Sequence, residues 1–351
     1  MSTVPRPPRH FAIIGAGMAG ITCARTLVQA GHRVTVFEKD SEQGGRMATR
    51  SSAFGSFDPG AQYFTVRDPR FQTALEATPK LCKRWSANTV QALDELGRVA
   101  SANRASGEAH WVGFPNMQAL VAGWAEPLQA AGRIQTQTRV TQIERDALHK
   151  RQWQLRTESP DGAQHVFSGF DGVLIATPAA PARALLDAAK LAGPWVRQID
   201  KVQVAPCWTL MLAFPQAMQP GLSTLGPQWN AARSTHHRIA WLARESSKPG
   251  REQIERWTVQ ASAAWSQEHL GDDTTRVEAK LLKAFAEVTG IRATPTLVQS
   301  HRWLYAKTLR ALGQSHLLDA KNGLGVCGDW CLGHRAEDAF ISGLELALAA
   351  V

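Results

Sequence analysis

Phe11-Ala-Ile-Ile-Gly-Ala-Gly-Met-Ala-Gly20 joins a short apolar run to a helical segment through three glycines. The apolar run has the pattern of a buried strand, the helical pattern lasts to about Gly31, and Val34-Thr-Val-Phe37 supplies a second strand. A strand–helix–strand unit with this Gly-x-Gly-x-x-Gly turn is typical of a dinucleotide site, where a pyrophosphate lies at the helix N-terminus. The predicted contacts are Gly15, Ala16, Gly17, Met18, Ala19 and Gly20.

An acidic residue closes the second strand at the spacing that such a site requires. Glu38 lies 18 residues after Gly20, where a carboxylate accepts hydrogen bonds from a ribose and disfavours a 2′-phosphate. We therefore predict an adenine dinucleotide site that includes Glu38 and its neighbour Lys39.

The same glycine spacing occurs again at Gly323-Leu-Gly325-Val-Cys-Gly328. The residues that follow, Asp329-Trp-Cys-Leu-Gly-His334, lack the pattern of a nucleotide-binding helix. We predict a strand that ends at Gly328 and Asp329 and is followed by no helix at that point.

A second glycine pair with a cation, Gly44-Gly45-Arg46-Met47, follows Glu38 by six residues. Arginine can bind a phosphate bidentately, and a simple nicotinamide dehydrogenase has no need of this second segment. The string from Gly15 to Met47 resembles the flavin-binding signature of the amine oxidase-like flavoproteins. The resemblance implies noncovalent FAD as the cofactor.

Composition excludes several other classes of protein. The 351 residues include 44% hydrophobic and 20% charged residues, which are the proportions of an ordinary globular protein of about two domains. The net charge of +9 is compatible with nucleic acid, an anionic membrane, a phosphorylated small molecule, or simply a solvated surface. The Lys and Arg residues are dispersed, which disfavours nucleic acid, and the apolar run at Phe11 is too short for a membrane span or a signal segment.

The five cysteines form no disulfide or zinc-site spacing, so a reducing cytoplasm is the expected compartment and no metal is expected. They are Cys23, Cys82, Cys207, Cys327 and Cys331.

Beyond these features, the chain resembles the bacterial renalases and renalase-like FAD oxidoreductases, within the flavin-containing amine oxidase-like superfamily, nearly from end to end. The strings that carry the resemblance are Gly44-Gly-Arg-Met47, Gly60-Ala-Gln-Tyr-Phe64, Trp111-Val-Gly113, Ile175-Ala-Thr-Pro178, Trp241-Leu-Ala-Arg244, Ser247-Lys-Pro-Gly-Arg251, His301-Arg-Trp-Leu-Tyr305 and Val326-Cys-Gly-Asp-Trp-Cys331.

The resemblance implies an α/β fold of the p-hydroxybenzoate hydroxylase type, in which a mixed-sheet α+β substrate domain is inserted into a Rossmann-like FAD-binding domain. We expect the FAD-binding domain to comprise residues 11–78, 113–180 and 297–351. The substrate domain should comprise residues 79–112 and 181–296, after a flexible leader at residues 1–10.

Further FAD contacts and an activity are also implied by the resemblance. The activity is transfer of a hydride from a dihydronicotinamide isomer, 2- or 6-dihydro-NAD(P), to the flavin, and O2 then reoxidises the flavin to give H2O2. The flavin supplies the redox chemistry and the protein supplies position and electrostatics. The further contacts are Gly45, Arg46, Met47, Gly60, Ala61, Gln62, Val140, Thr177, Gly328, Asp329 and Ile341.

Four residues of the matching strings are candidates for the substrate pocket: Tyr63, Trp241, Gln260 and Trp303. Each could instead be structural, Tyr63 through a hydrogen bond and the two tryptophans as core. Gln260 stands where the renalase pattern has His, and glutamine cannot titrate. Hydride transfer from a dihydropyridine needs no obligatory protein base, so this activity does not depend on a histidine at position 260. The glutamine at this position nevertheless leaves the identity of the substrate open.

Three alternatives therefore stand beside the renalase-like activity. They are oxidation of a small amine, aromatic hydroxylation, and a non-catalytic FAD-binding sensor or interaction protein whose basic surface meets an acidic partner.

Overall fold

The computed structural model describes residues 7–85, 90–101, 108–191, 193–218 and 229–351. No helix in this part of the chain is both long and apolar enough to cross a membrane.

The strands are β1 (His10–Ile14), β2 (Arg33–Phe37), β3 (Arg50–Ser52), β4 (Gly55–Phe57), β5 (Cys82–Trp85), β6 (Val90–Leu93), β7 (Val99–Ser101), β8 (His110–Gly113), β9 (Ile134–Gln135), β10 (Arg139–Arg145), β11 (Trp153–Glu158), β12 (Gln164–Phe170), β13 (Gly172–Ile175), β14 (Gln203–Phe214), β15 (Ala231–Ser234), β16 (Ile239–Arg244), β17 (Glu255–Ala261), β18 (Leu297–Arg310), β19 (Leu317–Asp319) and β20 (Leu324–Val326).

The helices are α1 (Met18–Gln29), α2 (Pro69–Glu76), α3 (Gln118–Ala130), α4 (Ala179–Ala188), α5 (Ala263–Glu268), α6 (Thr274–Thr289), α7 (Asp329–Leu332) and α8 (Ala336–Ala350).

The chain forms two compact units, and both are discontinuous in sequence. The first unit consists of Met1–Gly45, Val121–Val204 and Thr308–Val351, and the second of Arg46–Leu120 and Ala205–Lys307. The functions expected of the two domains stay predictions.

These bounds differ from the expected ones in several segments. Residues 46–78, 113–120 and 297–307 were expected with the FAD-binding domain but lie in the second unit. The buried Asp58 carboxylate explains the first of these, because Lys248 binds it at 3.2 Å. This contact with Lys248, rather than proximity in sequence to the first unit, accounts for the place of residues 46–78 in the second unit.

Residues 181–204 were expected in the substrate domain but lie in the first unit. The reason is apolar burial: Leu186, Val196 and Ile199 pack into the same core cluster as Ile175 of β13.

The first unit is built on a six-stranded sheet in the order β19-β20-β13-β1-β2-β9. The pairs β20–β13, β13–β1, β1–β2 and β2–β9 are parallel, and β19 is an antiparallel edge. The strand β2, which follows β1 in sequence, lies on one side of β1, and β13 lies on its other side. The strand order therefore reverses beside β1. Ligands of open α/β sheets bind at the carboxyl ends of the strands at such a point. The predicted α/β class with a Rossmann-like sheet is confirmed.

The second unit is a mixed seven-stranded sheet in the order β18-β14-β17-β16-β15-β6-β7, which confirms the predicted mixed-sheet unit. One face is covered by α6, predicted over Thr274 to Thr289 and found with those bounds. The Asp273 side chain accepts from the first turn of α6, and Gly290 ends it with φ 75°. Its Val277, Leu281 and Phe285 are fully buried.

Two local predictions are corrected. The expected flexible leader at residues 1–10 is wrong for its last two residues, Arg9 and His10. The Arg9 N–H donates to the His32 ring, the Arg9 carbonyl accepts from the Arg33 N–H, and β1 begins at His10. Residues 1–6 lie outside the described residues. The second glycine string is followed by a helix after all, since α7 begins at Asp329, although it is only four residues long.

Candidate active site

The glycine turn between β1 and α1 leaves open space at a helix N-terminus. Gly15 has φ +105°, and a Cβ there would lie 3.0 Å from the Ala176 carbonyl oxygen. A Cβ at Gly20 would lie 1.9 Å from the Gly15 carbonyl oxygen, whereas one at Gly17 would meet nothing within 4 Å. The first turn of α1 has no side-chain cap. Open space beside uncapped backbone N–H groups suits a pyrophosphate.

Glu38 lies directly beside this turn and is 6% exposed. Its Oε2 accepts from the Ala16 N–H at 2.8 Å, and its Oε1 accepts from the Asp40 N–H at 3.0 Å. Burial raises the pKa of the Glu38 carboxyl, and these backbone donors oppose the rise. Each oxygen keeps a lone pair that can accept from a ribose hydroxyl. The neighbouring Lys39 points elsewhere, to Asp40 at 2.5 Å.

The second glycine pair packs against the first turn. The Gly44 N–H donates to the Ala16 carbonyl at 3.1 Å, and a Cβ at Gly45 would lie 3.5 Å from the Gly17 Cα. The structure thus brings Gly45 next to Gly17 of the turn, and its contact with FAD stays a prediction.

The ends of β13 and β20 meet at the same edge of this sheet. The Trp330 indole N–H donates to the Thr177 carbonyl at 3.0 Å, and the Gly328 N–H donates to Ser342 at 2.8 Å. Asp329 is buried as the first residue of α7. Thr177, Gly328 and Asp329 therefore lie at one strand edge.

The other two predicted contacts in the first unit are buried side chains. Val140 is the second residue of β10 and belongs to the core cluster that includes Ile14 and Phe37, and Ile341 lies on α8. A contact with FAD stays a prediction for both.

In the second unit, four predicted contacts lie close together. The Ala61 N–H donates to the Arg46 carbonyl at 2.8 Å, and a Cβ at Gly60 would lie 2.0 Å from the same oxygen. The Arg46 guanidinium donates to the Ala306 carbonyl at 3.3 Å, and the Met47 side chain is buried. Only glycine fits at position 60.

A row of polar and aromatic side chains crosses one face of the seven-stranded sheet. Thr209 of β14 pairs with Gln260 of β17, Gln260 with Trp241 of β16, and Trp241 with Arg233 of β15. Directly opposite residues on adjacent strands share a face of the sheet. Most of the neighbours of these residues along the strands belong to the core cluster that contains residues of α6. We call Thr209, Gln260, Trp241 and Arg233 the polar row.

The segment Pro59–Tyr63 is fixed to this row by hydrogen bonds. The Thr209 hydroxyl and the Trp303 indole N–H donate to the Pro59 carbonyl at 3.0 and 3.1 Å. The Gln260 amide donates to the Gly60 carbonyl at 2.6 Å. Gln260 and Trp303 therefore both hold the backbone of Pro59 and Gly60, which is a structural role for each side chain.

Tyr63 lies among aromatic rings at the end of that segment. Its ring centroid is 4.3 Å from His110, 5.6 Å from Trp241 and 6.4 Å from Trp85. Its hydroxyl oxygen accepts from the Arg233 guanidinium at 3.3 Å. Burial and the Arg233 charge lower the pKa of His110, which favours the neutral form of this ring.

A buried cluster of charges anchors the start of the same segment. Lys248 contacts Asp58 at 3.2 Å, Glu245 at 2.9 Å and the side-chain Oε1 of Gln62 at 3.2 Å. Arg251 contacts Asp58 at 2.6 Å. Burial alone would raise the pKa of Asp58, but Lys248 and Arg251 outweigh it and lower the pKa to about 2.

Gln62 was predicted as an FAD contact, and its side chain is committed elsewhere. The amide accepts from Lys248 and donates to the Asp58 and Gly60 carbonyls. Only its backbone is left for a cofactor contact, which stays a prediction.

Sequence reasoning missed five residues of this arrangement: Asp58, Thr209, Arg233, Lys248 and His110. Lys248 stands in one of the matching strings, so a signal existed for it. Arg233 and Thr209 become neighbours of Tyr63 and Gln260 only through the strand register, for which no local pattern existed.

Comparison with known proteins identifies the two parts of the chain. The profile described as "NAD(P)-binding Rossmann-like domain" matches residues 13–78, and the profile described as "Flavin containing amine oxidoreductase" matches residues 101–350. L-amino acid oxidase Cdc18 of Crotalus durissus cumanensis is 51% identical over 47 residues, which are 13% of this chain and 9% of that protein. Phytoene dehydrogenase of Streptomyces griseus is 40% identical over 68 residues, 19% of this chain and 13% of that protein.

A solved structure is similar over nearly the whole chain. It is that of a protein assigned as a protoporphyrinogen oxidase from Exiguobacterium sp. 255-15, with a TM-score of 0.73, 13% identity, and 98% of each chain covered. At this identity the likeness concerns the fold alone. The matches to the two curated relatives span less than a sixth of each relative's length.

Proposed function

The chain belongs to the flavin containing amine oxidoreductase family, and we propose that it uses FAD to oxidise a dihydronicotinamide ring, the 2- or 6-dihydro form of NAD(P), as the renalase-like flavoproteins do. O2 is the proposed electron acceptor. The observation that carries the proposal is the polar row with Tyr63, because it combines flat aromatic surfaces with hydrogen-bond donors on one sheet face.

The residues present fit FAD in the first unit. The open space at Gly17, the uncapped start of α1 and the free lone pairs of Glu38 match a pyrophosphate and a ribose. When bound there, FAD would supply the redox chemistry, which is acceptance of a hydride from the reduced ring and two-electron reduction of O2 to H2O2.

The protein's own share is positioning. Thr209, Gln260 and Trp303 hold the carbonyls of Pro59 and Gly60, and so fix where Tyr63 lies. Tyr63 and Trp241 offer planar faces to a planar ring. Because Gln260 carries no titratable group, no proton transfer is assigned to it, and a dihydropyridine donor requires none.

Amine oxidation is the second candidate, favoured by one observation. The Tyr63 and Trp241 rings lie 5.6 Å apart and are inclined at 40°, and aromatic faces attract ammonium groups. The Arg233 guanidinium beside Tyr63 opposes this, since it repels a cation at the same place. We therefore rank a cationic amine below a dihydronicotinamide.

The test is a panel of reductants mixed anaerobically with the FAD-loaded protein. Bleaching of the flavin band by 2- or 6-dihydro-NAD, without ammonia release, is expected. Bleaching by small amines alone, with ammonia or an aldehyde as product, would assign the second candidate. Bleaching by none of them would favour the sensor, whose FAD is structural.

Replacing Gln260 with leucine should slow flavin reduction by about 5- to 10-fold, because a hydrogen bond to a buried carbonyl contributes about 1 kcal/mol. Gln260→His, which can still donate a hydrogen bond, should retain most of the rate. Gln216→Leu is the matched control, since Gln216 donates to the Thr294 carbonyl away from the polar row. Equal rates for Gln260→Leu and Gln216→Leu, measured by stopped-flow absorbance, would remove Gln260 from the site.

A further inference from the structure

Arg233 and Trp241 at one end of the polar row, together with the neighbouring Tyr63, form a group rich in hydrogen-bond donors. Arg233 donates to the Tyr63 oxygen at 3.3 Å, which leaves the Tyr63 O–H free to donate. Arg233 and Trp241 are direct cross-strand partners, so their side chains share a face. We call these three residues the donor corner.

Among the described residues, the Trp241 indole N–H lacks an acceptor, and Arg233, which donates to Tyr63, lacks an acidic partner. The Trp241 indole N–H is buried in a residue that is 9% exposed, and no described atom accepts from it. Arg233 is exposed, and no carboxylate in the described part of the chain forms an ion pair with it. The acidic residue whose charge acts on neighbouring His110 is Glu108, and Arg67 already pairs with it.

We propose that the donor corner binds an anionic group, a carboxylate or a phosphate, carried by a planar substrate whose ring lies against Tyr63 and Trp241. This inference rests on the proposed function, because it names the class of molecule that the same site accepts. It goes beyond that function by assigning Arg233 as the residue that determines charge specificity.

The charge of Arg233 itself favours an anion over a cation at the donor corner. The ammonium of Lys248 is 5.9 Å from the Trp85 ring, although its charge is matched by buried carboxylates. Guanidinium groups bind carboxylates and phosphates through paired N–H donors. A cationic ammonium would offer no acceptor to Arg233 or to the Trp241 N–H, and a neutral carbonyl accepts a weaker hydrogen bond from a guanidinium than an anion does.

The test measures binding of redox-inert probes to the FAD-loaded protein by calorimetry. Benzoate, phenyl phosphate, neutral benzamide and cationic benzylamine share a planar ring and differ in charge. We expect one of the two anions to bind about 10- to 100-fold more tightly than benzamide, and benzylamine to bind weakest. The preferred anion identifies the source: benzoate indicates a carboxylate substrate, and phenyl phosphate a phosphorylated one such as a dinucleotide.

Arg233→Gln should remove that preference, and Arg233→Lys should keep part of it. Arg302→Gln is the control, because Arg302 also contacts an aromatic ring, that of Trp208 at 5.6 Å, and one carbonyl. Equal binding of benzamide and both anions, or an anion preference unchanged by Arg233→Gln, would overturn the proposal. Because the probes carry no hydride, this result is separate from flavin bleaching, which tests the proposed function.

Discussion

Alanine at Gly20 should prevent FAD binding and lower the stability of the protein. The added Cβ would lie 1.9 Å from the Gly15 carbonyl oxygen, and no side-chain rotation relieves the contact, because the Cβ is fixed by the Cα and the oxygen belongs to the backbone. Alanine has a better helix propensity than glycine by about 1 kcal/mol, but overpacking at a backbone contact costs about 1–3 kcal/mol or more. The clash should therefore dominate, and it should separate α1 from β1. The measurements are the free energy of unfolding and the FAD dissociation constant.

Gly17→Ala separates cofactor binding from folding. A Cβ there would meet nothing within 4 Å, and the Gly17 backbone has φ −78° and ψ −176°, which alanine adopts readily. We expect nearly unchanged stability of the apoprotein but weaker FAD binding by about 10-fold or more, since the methyl group fills the space predicted for the pyrophosphate. Unchanged FAD affinity in Gly17→Ala would contradict this placement of the cofactor.

Methionine at Lys248 should cost about 3–5 kcal/mol of the free energy of unfolding. Methionine has nearly the same length as lysine, so packing changes little. The variant leaves Asp58 and Glu245 buried without the ammonium that both contact, and an uncompensated buried charge is strongly destabilising. Urea denaturation of the FAD-loaded protein measures the loss.

Two further variants make this prediction specific. Lys283→Met removes an exposed lysine that lies 4.0 Å from Glu287, and it should change the free energy of unfolding by no more than about 0.5 kcal/mol. The double variant Lys248→Met with Glu245→Gln should recover part of the loss, because one of the stranded charges is gone. Equal unfolding curves for Lys248→Met and Lys283→Met would show that the buried cluster does not anchor the segment.

The same cluster gives a pH dependence with a defined sign. The pKa of Asp58 is lowered to about 2 in the folded protein, so its ionised form stabilises the fold above the ordinary pKa of an aspartate. That contribution is lost as the pH falls from about 4 toward 2. In Lys248→Met the acid-dependent loss that comes from Asp58 should be smaller and complete at a higher pH, because one of the two cations that lower its pKa in the folded protein is absent.

The nucleotide-binding half of the molecule was predictable because its signals are local. The three glycines of the first turn and Glu38 lie within 24 residues of one another, and each spacing reflects contacts inside one strand–helix–strand unit. Helix α6 was predictable for a similar reason, since Asp273 and Gly290 mark its ends. The short helix at Asp329 was missed because four residues hold no periodic pattern.

The polar row of the second unit was only partly predictable, because its contacts depend on strand register. Arg233 and Trp241 are eight residues apart, and Gln260 is nineteen further on, yet all three meet in one row. A shift of one residue in any strand would turn a side chain to the other face. The burial of Lys248 could not be predicted from the sequence either. A lysine is ordinarily a surface residue, and this one is buried because it contacts the carboxylates of Asp58 and Glu245.

The most direct measurement of the central claim is the stoichiometry of anaerobic flavin reduction by 2- or 6-dihydro-NAD. We predict bleaching of the flavin band with one β-NAD+ formed for each FAD reduced, and a return of the band with formation of H2O2 when O2 is admitted. An FAD-loaded protein whose flavin neither isomer bleaches, but which a small amine reduces with release of ammonia, would contradict the account.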